Sequence, residues 1–141
     1  MTRAVLDTNV LVSGFVRSNA DAATVRVLDL WRSGAFDLVT SAPIIEEFRR
    51  TLSTPYFISR LSPEDIEAAV ALIATLAELV EIVVEVSGVA THREDDVILA
   101  TAVSAGANFL VTGDRQLRKV AEFNGVRLVT PAEFAGWLRG E

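Results

Sequence analysis

Apolar positions along the chain fall into two alternating patterns, short continuous runs and longer stretches with helical spacing. Ala4-Val5-Leu6 is an apolar run between Arg3 and Asp7, the signature of a strand buried on both faces. Phe36 to Val39, Phe109 to Thr112 and Val126 to Val129 repeat it. Glu81 to Val86 alternates acidic and β-branched residues and predicts a half-exposed edge strand. Between these runs the spacing predicts helices. One starts near Val10, and Ser18-Asn19-Ala20-Asp21 interrupts it; a second spans Ala22 to Arg32, with Val25, Leu28 and Trp31 on one face and Gly34 as its stop. Ser41 is a good N-cap for a helix through Leu52, with Pro43 tolerated in its first turn, and Thr54-Pro55-Tyr56-Phe57 breaks it. Ser62-Pro63-Glu64-Asp65 opens a helix to about Leu79, whose Val70, Ile73 and Leu76 form a core stripe. Further helices are predicted from Glu94 to Ala105, stopped by Gly106, and from Arg115 to Phe123, stopped by Asn124-Gly125. A last one runs from the capping box Thr130-Pro131-Ala132-Glu133 through Leu138.

Strands alternating with helices across short turns predict an α/β fold, a central, mostly parallel sheet between two helical layers. At 141 residues, half of them hydrophobic and 23% charged, residues 1–141 read as a single domain with a real core. The absence of cysteine removes disulfides and thiolate metal sites from consideration. The start shows no signal-peptide pattern, and the longest near-apolar stretch, Ala68 to Ala77, is too short to span a membrane. A cytoplasmic protein is therefore expected.

Two strands end in carboxylates: Asp7 after the first and Asp114 after Phe109-Leu110-Val111-Thr112-Gly113. In a parallel sheet both emerge at the carboxyl edge, where open α/β sheets place their ligands. Asp95 and Asp96 lie in the first turn of a helix that must run antiparallel to the strands, which brings its start to the same edge. Glu47, beside Phe48 and Ile44, needs a partner because an acid on a packed face is costly. Each acid alone could be a helix cap or a solvated charge. Together they would place several like charges at one edge, at about 4 kcal/mol per pair at 4 Å and an effective dielectric of about 20. A divalent cation removes that cost, and an all-oxygen set favours Mg²⁺ or Mn²⁺ over zinc. The chemistry such a set supports is phosphoryl transfer, with the ion polarising a phosphodiester and activating water.

The formal net charge of −6 argues against nucleic acid, yet five of the acids belong to this cluster, and the rest of the chain is close to neutral. Twelve of the thirteen basic residues are Arg, suited to bidentate phosphate contact. Arg17, Arg49, Arg50, Arg93 and Arg115 lie near the acids in sequence and are candidates for it. His92, the only histidine, reads as a surface residue.

The chain resembles the PIN-domain ribonucleases, particularly VapC-like toxins of toxin-antitoxin pairs. The likeness rests on Val5-Leu6-Asp7-Thr8-Asn9-Val10, on Ser41 followed by Glu47, on Asp95 before Ile98 in an Ile-Leu-Ala-Thr-Ala helix, and on Leu110-Val111-Thr112-Gly113-Asp114. It implies a three-layer α/β/α fold and a catalytic, metal-holding set of Asp7, Glu47, Asp95 and Asp114. Asp96 is a neighbour or alternate ligand, and Asn9 and Thr112 support the set by hydrogen bonds. It further implies Mg²⁺ or Mn²⁺, hydrolysis of single-stranded RNA, a homodimer and an antitoxin partner whose peptide fills a groove. Tyr56-Phe57-Ile58-Ser59-Arg60 is a candidate wall of that groove, or a plain apolar corner between helices.

Receiver domains and haloacid-dehalogenase-like phosphatases also end a first strand in Asp. The former want an acidic pair before it and a late Lys; the latter want a second Asp where Asn9 stands. A non-catalytic RNA- or protein-binding module of the same fold is the remaining alternative, and the complete acidic set counts against it.

Overall fold

The computed structural model describes residues 1–17, 22–90 and 92–140. The interruption expected at Ser18–Asp21 lies outside them. The chain runs β1 (Arg3–Leu6), α1 (Thr8–Val16), α2 (Ala22–Arg32), β2 (Asp37–Thr40), α3 (Ala42–Leu52), α4 (Pro55–Ile58), α5 (Pro63–Leu76) and β3 (Glu78–Leu79). It continues with α6 (Arg93–Ala105), β4 (Phe109–Val111), α7 (Arg115–Arg118), β5 (Glu122–Phe123), β6 (Val126–Val129) and α8 (Pro131–Leu138). The strands form one six-stranded sheet in the order β3-β2-β1-β4-β6-β5, parallel except for the β5–β6 pair.

β1 sits inside this order because its side chains are apolar on both faces: Ala4, Val5 and Leu6 are at most 1% exposed. Helices flank the sheet. α1 packs on α2 and α3, α2 on α8 and α3 on α5, while α6 packs directly against β1, β2 and β4. Phe36, Phe48, Phe109 and Phe134 fill the core, and Phe134 meets Phe36 edge to face at 4.9 Å. The helix starts at Ser62 and Thr130 are full capping boxes.

Three expectations are corrected. The helix from Ser62 ends at Leu76, which is 60% exposed and not core. The edge strand is Glu78–Leu79, not Glu81 to Val86. Its last bond runs from Val80 N–H to Thr40 C=O (2.9 Å), and β2 then turns into α3, leaving nothing for later residues to pair with. Arg3 anchors β3 through two bonds to Glu78 at 2.8 and 2.7 Å. Finally, α7 stops at Arg118, and Asn124-Gly125 is a hairpin turn between β5 and β6, not a helix stop. Both residues have positive φ, 48° and 85°, as a two-residue turn of the primed type requires.

Candidate active site at the carboxyl edge of the sheet

Asp7 belongs to a strand and a helix at once. Its N–H donates to the Val111 carbonyl at 2.9 Å, continuing the ladder, while its own carbonyl accepts from Val10 and Leu11 and starts α1. The registers Val5–Val39 and Val5–Leu110, carried on by two residues, set Ser41, Asp7 and Thr112 side by side on three neighbouring strands. All three are buried.

Thr112 ties two carboxylate positions together. Its hydroxyl donates to Asp7 Oδ2 at 2.7 Å and accepts from the Asp114 N–H at 3.0 Å. Asp114 caps α7, with Oδ1 accepting from Gln116 and Leu117 N–H at 2.8 and 3.3 Å, so Oδ2 lies outside the cap. On the other side of Asp7, Ser41 heads α3 without capping it. Its hydroxyl instead meets the Thr101 hydroxyl of α6 at 2.9 Å, and Thr101 in turn donates to the Val97 carbonyl. This polar link fixes α3, which carries Glu47, against α6, which carries Asp95.

The acids feel one another. Burial raises the pKa of Asp7; the Thr112 hydroxyl pulls it back, as do the Asn9 and Thr8 backbone N–H groups, which lean toward the carboxylate without completing a capping bond. Glu47 is half-buried and raised by burial first and by the Asp7 charge second. Asp95 is raised to about 6 by burial, then by the charges of Asp7 and Asp114 and least by Glu47, with His92 acting in the opposite direction. Asp95 thus shares the field of all three other acids. Residues from β1, α3, α6 and the turn after β4 meet at one edge.

Asp96 does not join them. It is buried, and its two oxygens accept from the Ala90 and Gly88 N–H groups at 2.7 and 3.0 Å, which pins the segment leading to α6. Glu46 is exposed and faces Arg49. The Asn9 side chain is exposed as well, so its contribution to Asp7 comes from its backbone. Among the candidate arginines, Arg17 pairs with Asp29 and Arg49 with Glu67, Arg50 acts on Glu47, and Arg93 and Arg115 are exposed. In the Tyr56–Arg60 stretch Tyr56 and Ile58 are exposed, Phe57 packs on the core, and the Arg60 guanidinium stacks 3.8 Å above the Tyr56 ring. An apolar cleft of about 460 Å³ lies beside the edge, between Ser41-Ala42-Pro43 and Leu79 to Ile82, and contains none of the four acids.

A divalent cation suits this set on its chemistry. The donors are all carboxylate oxygens, three of them hold their charge at a cost, and the buried Thr8 turns its hydroxyl toward Glu47. Among the described residues no three acidic or histidine side chains converge into a closed ligand shell. Thr8 and Ser41 enter the sequence reading only as part of the motifs and, for Ser41, as a helix cap, each a hydroxyl beside a strand-end position, and nothing local marks Thr101, which lies inside α6.

The PIN domain family matches residues 3–116, a stretch that includes all four acids. The chain belongs to the PIN domain family. Among solved structures, this PIN domain is similar to a chain of VapBC2 from Rickettsia felis, determined bound to a DNA fragment from their promoter. The TM-score is 0.61 at 14% identity, over 92% of this chain and 98% of that one. No curated protein sequence matches. The fold class expected from the strand and helix alternation is thus the fold observed.

Proposed function

We propose that the protein is a divalent-metal-dependent endoribonuclease that hydrolyses phosphodiester bonds of single-stranded RNA, and that it acts as the toxin of a toxin-antitoxin pair. The observation that carries the reading is the shared field of Asp7, Glu47, Asp95 and Asp114 at the sheet's carboxyl edge, brought together from four segments of a PIN fold. Asp7, Glu47, Asp95 and Asp114 would hold Mg²⁺ or Mn²⁺, which supplies Lewis acidity at the phosphodiester and lowers the pKa of an attacking water. The chain's own part is positioning. Thr112 holds Asp7 and the Asp114 backbone in register, and the Ser41–Thr101 link holds α3 against α6. Asp96 fixes the approach to α6, so that Asp95 and not Asp96 faces the other acids. The likeness to a chain of VapBC2 supports the toxin role and an antitoxin partner, and a homodimer is proposed on the resemblance to VapC-like toxins; among the described residues no helix is long and apolar enough to cross a membrane.

A cleavage assay on single-stranded RNA with millimolar Mg²⁺ or Mn²⁺ tests it. Wild-type protein cuts, chelator stops the cutting, and Asp7→Asn keeps the fold while losing at least a hundredfold in rate. Undiminished cleavage by Asp7→Asn removes Asp7 from the mechanism, and cleavage in chelator removes the metal. A phosphatase reading would instead show release of terminal phosphate without internal cuts.

A further inference from the structure

A second cleft, of about 400 Å³, opens between α7 and the β5–β6 hairpin, lined by Arg118, Glu122, Arg127, Leu128, Val129 and Glu133. It abuts the acid edge. β6 pairs in parallel with β4, the Thr112 N–H donates to the Val129 carbonyl at 2.9 Å, and Arg118 N–H donates to the Asp114 carbonyl at 3.0 Å, one helical turn from the acid. Among the described residues, both arginines of this cleft lack a partner for their guanidinium hydrogens. Arg118 Nε is buried and makes no hydrogen bond, and Arg127 makes only a distant contact with the Phe109 ring, at 5.8 Å. The two act electrostatically on Glu133, but that carboxylate is committed to the Thr130 N–H at 2.8 Å in the capping box of α8. Glu122 is exposed.

We propose that this cleft binds a phosphate of the RNA strand, one that flanks the phosphodiester lying on the acid cluster, with Arg118 and Arg127 as its donors; the assignment rests on the nuclease reading above. An anion there would give the two guanidinium groups an acceptor that the described residues do not supply, and guanidinium groups match phosphate oxygens in a bidentate way. RNA is favoured over an acidic peptide because the cleft lies on β6, the neighbour of β4 after which Thr112 and Asp114 follow, so a strand held at the acids has this cleft beside it. Neither Arg118, four residues after Asp114, nor Arg127, which reaches the cleft only through the β4–β6 pairing, is among the arginines singled out in the sequence.

The test measures binding separately from cleavage. In the Asp7→Asn background, dissociation constants for a short single-stranded RNA are measured against salt for the parent and for added Arg118→Gln, Arg127→Gln, both together, and Arg26→Gln on α2 as a control. Melting curves verify folding of each. The cleft substitutions are expected to weaken binding severalfold each and to reduce the slope of log affinity on log salt by about 0.7 for each phosphate charge no longer neutralised. The control should change neither. An unchanged slope in the double variant overturns the cleft while wild-type cleavage leaves the nuclease reading intact. An equal loss with Arg26→Gln also overturns it, as does polyglutamate binding as tightly as RNA and failing to bind the same variants.

Discussion

At the scale of single residues, Asp95 shows how the fold sets its own chemistry. A carboxyl group pushed from 3.8 to about 6 binds protons more readily folded than unfolded, so its protonated form stabilises the native state. That contribution is fully present below about pH 4 and is lost as the pH rises through about 6. Asp7 and Glu47, raised in the same direction, add to it. In chelator, the contribution of these three acids therefore makes the protein more stable near pH 5 than near pH 7.5. Divalent ion should raise the melting temperature more at pH 7.5, where Asp95 is charged, than at pH 5. Melting curves at the two pH values, with and without Mn²⁺, check this; a larger metal effect at pH 5 would contradict it. Asp7 and Asp114 are legible in the sequence because each follows an apolar run that must be a buried strand, so chain direction alone places them. The choice between Asp95 and Asp96 is not legible. It depends on the Gly88 and Ala90 N–H groups, which reach Asp96 from a segment with no regular structure.

At the scale of elements, α6 is held at both ends. Gly106 ends it in the left-handed conformation, and Asp96 clamps the chain before it. Replacing Asp96 by Ala leaves two inward N–H groups without their acceptor, a loss of about 1–3 kcal/mol in unfolding by urea. The divalent-ion response should survive, because Asp95 remains; abolition of that response with an intact fold would return Asp96 to the ligand set. Elements with caps written in local sequence, α5 and α8, start where Ser62 and Thr130 place them. The misread elements are those whose fate depends on a neighbour. Glu81 to Val86 has a strand's alternation but no strand left to pair with, and Val83 is 74% exposed. Glu122-Phe123 has too little local signal to be separated from α7, and only pairing with Val126 and Arg127 makes it a strand.

At the scale of the molecule, the sheet order converts sequence separation into proximity. Asp7 and Thr112, 105 residues apart, share a hydrogen bond because β1 and β4 are neighbours, and α3 and α6 close over the same edge. On the proposed function, a divalent ion at these acids would steady the fold. Saturation to about 100 times Kd adds about 2.7 kcal/mol of stability. Calorimetric titration of Mn²⁺ at pH 7.5 into the wild-type protein and into Asp7→Asn, Glu47→Gln, Asp95→Asn and Asp114→Asn asks whether the four acids are one site. A single class of binding weakened at least tenfold by each substitution is the expected result; binding that is absent, or indifferent to all four, would contradict the account.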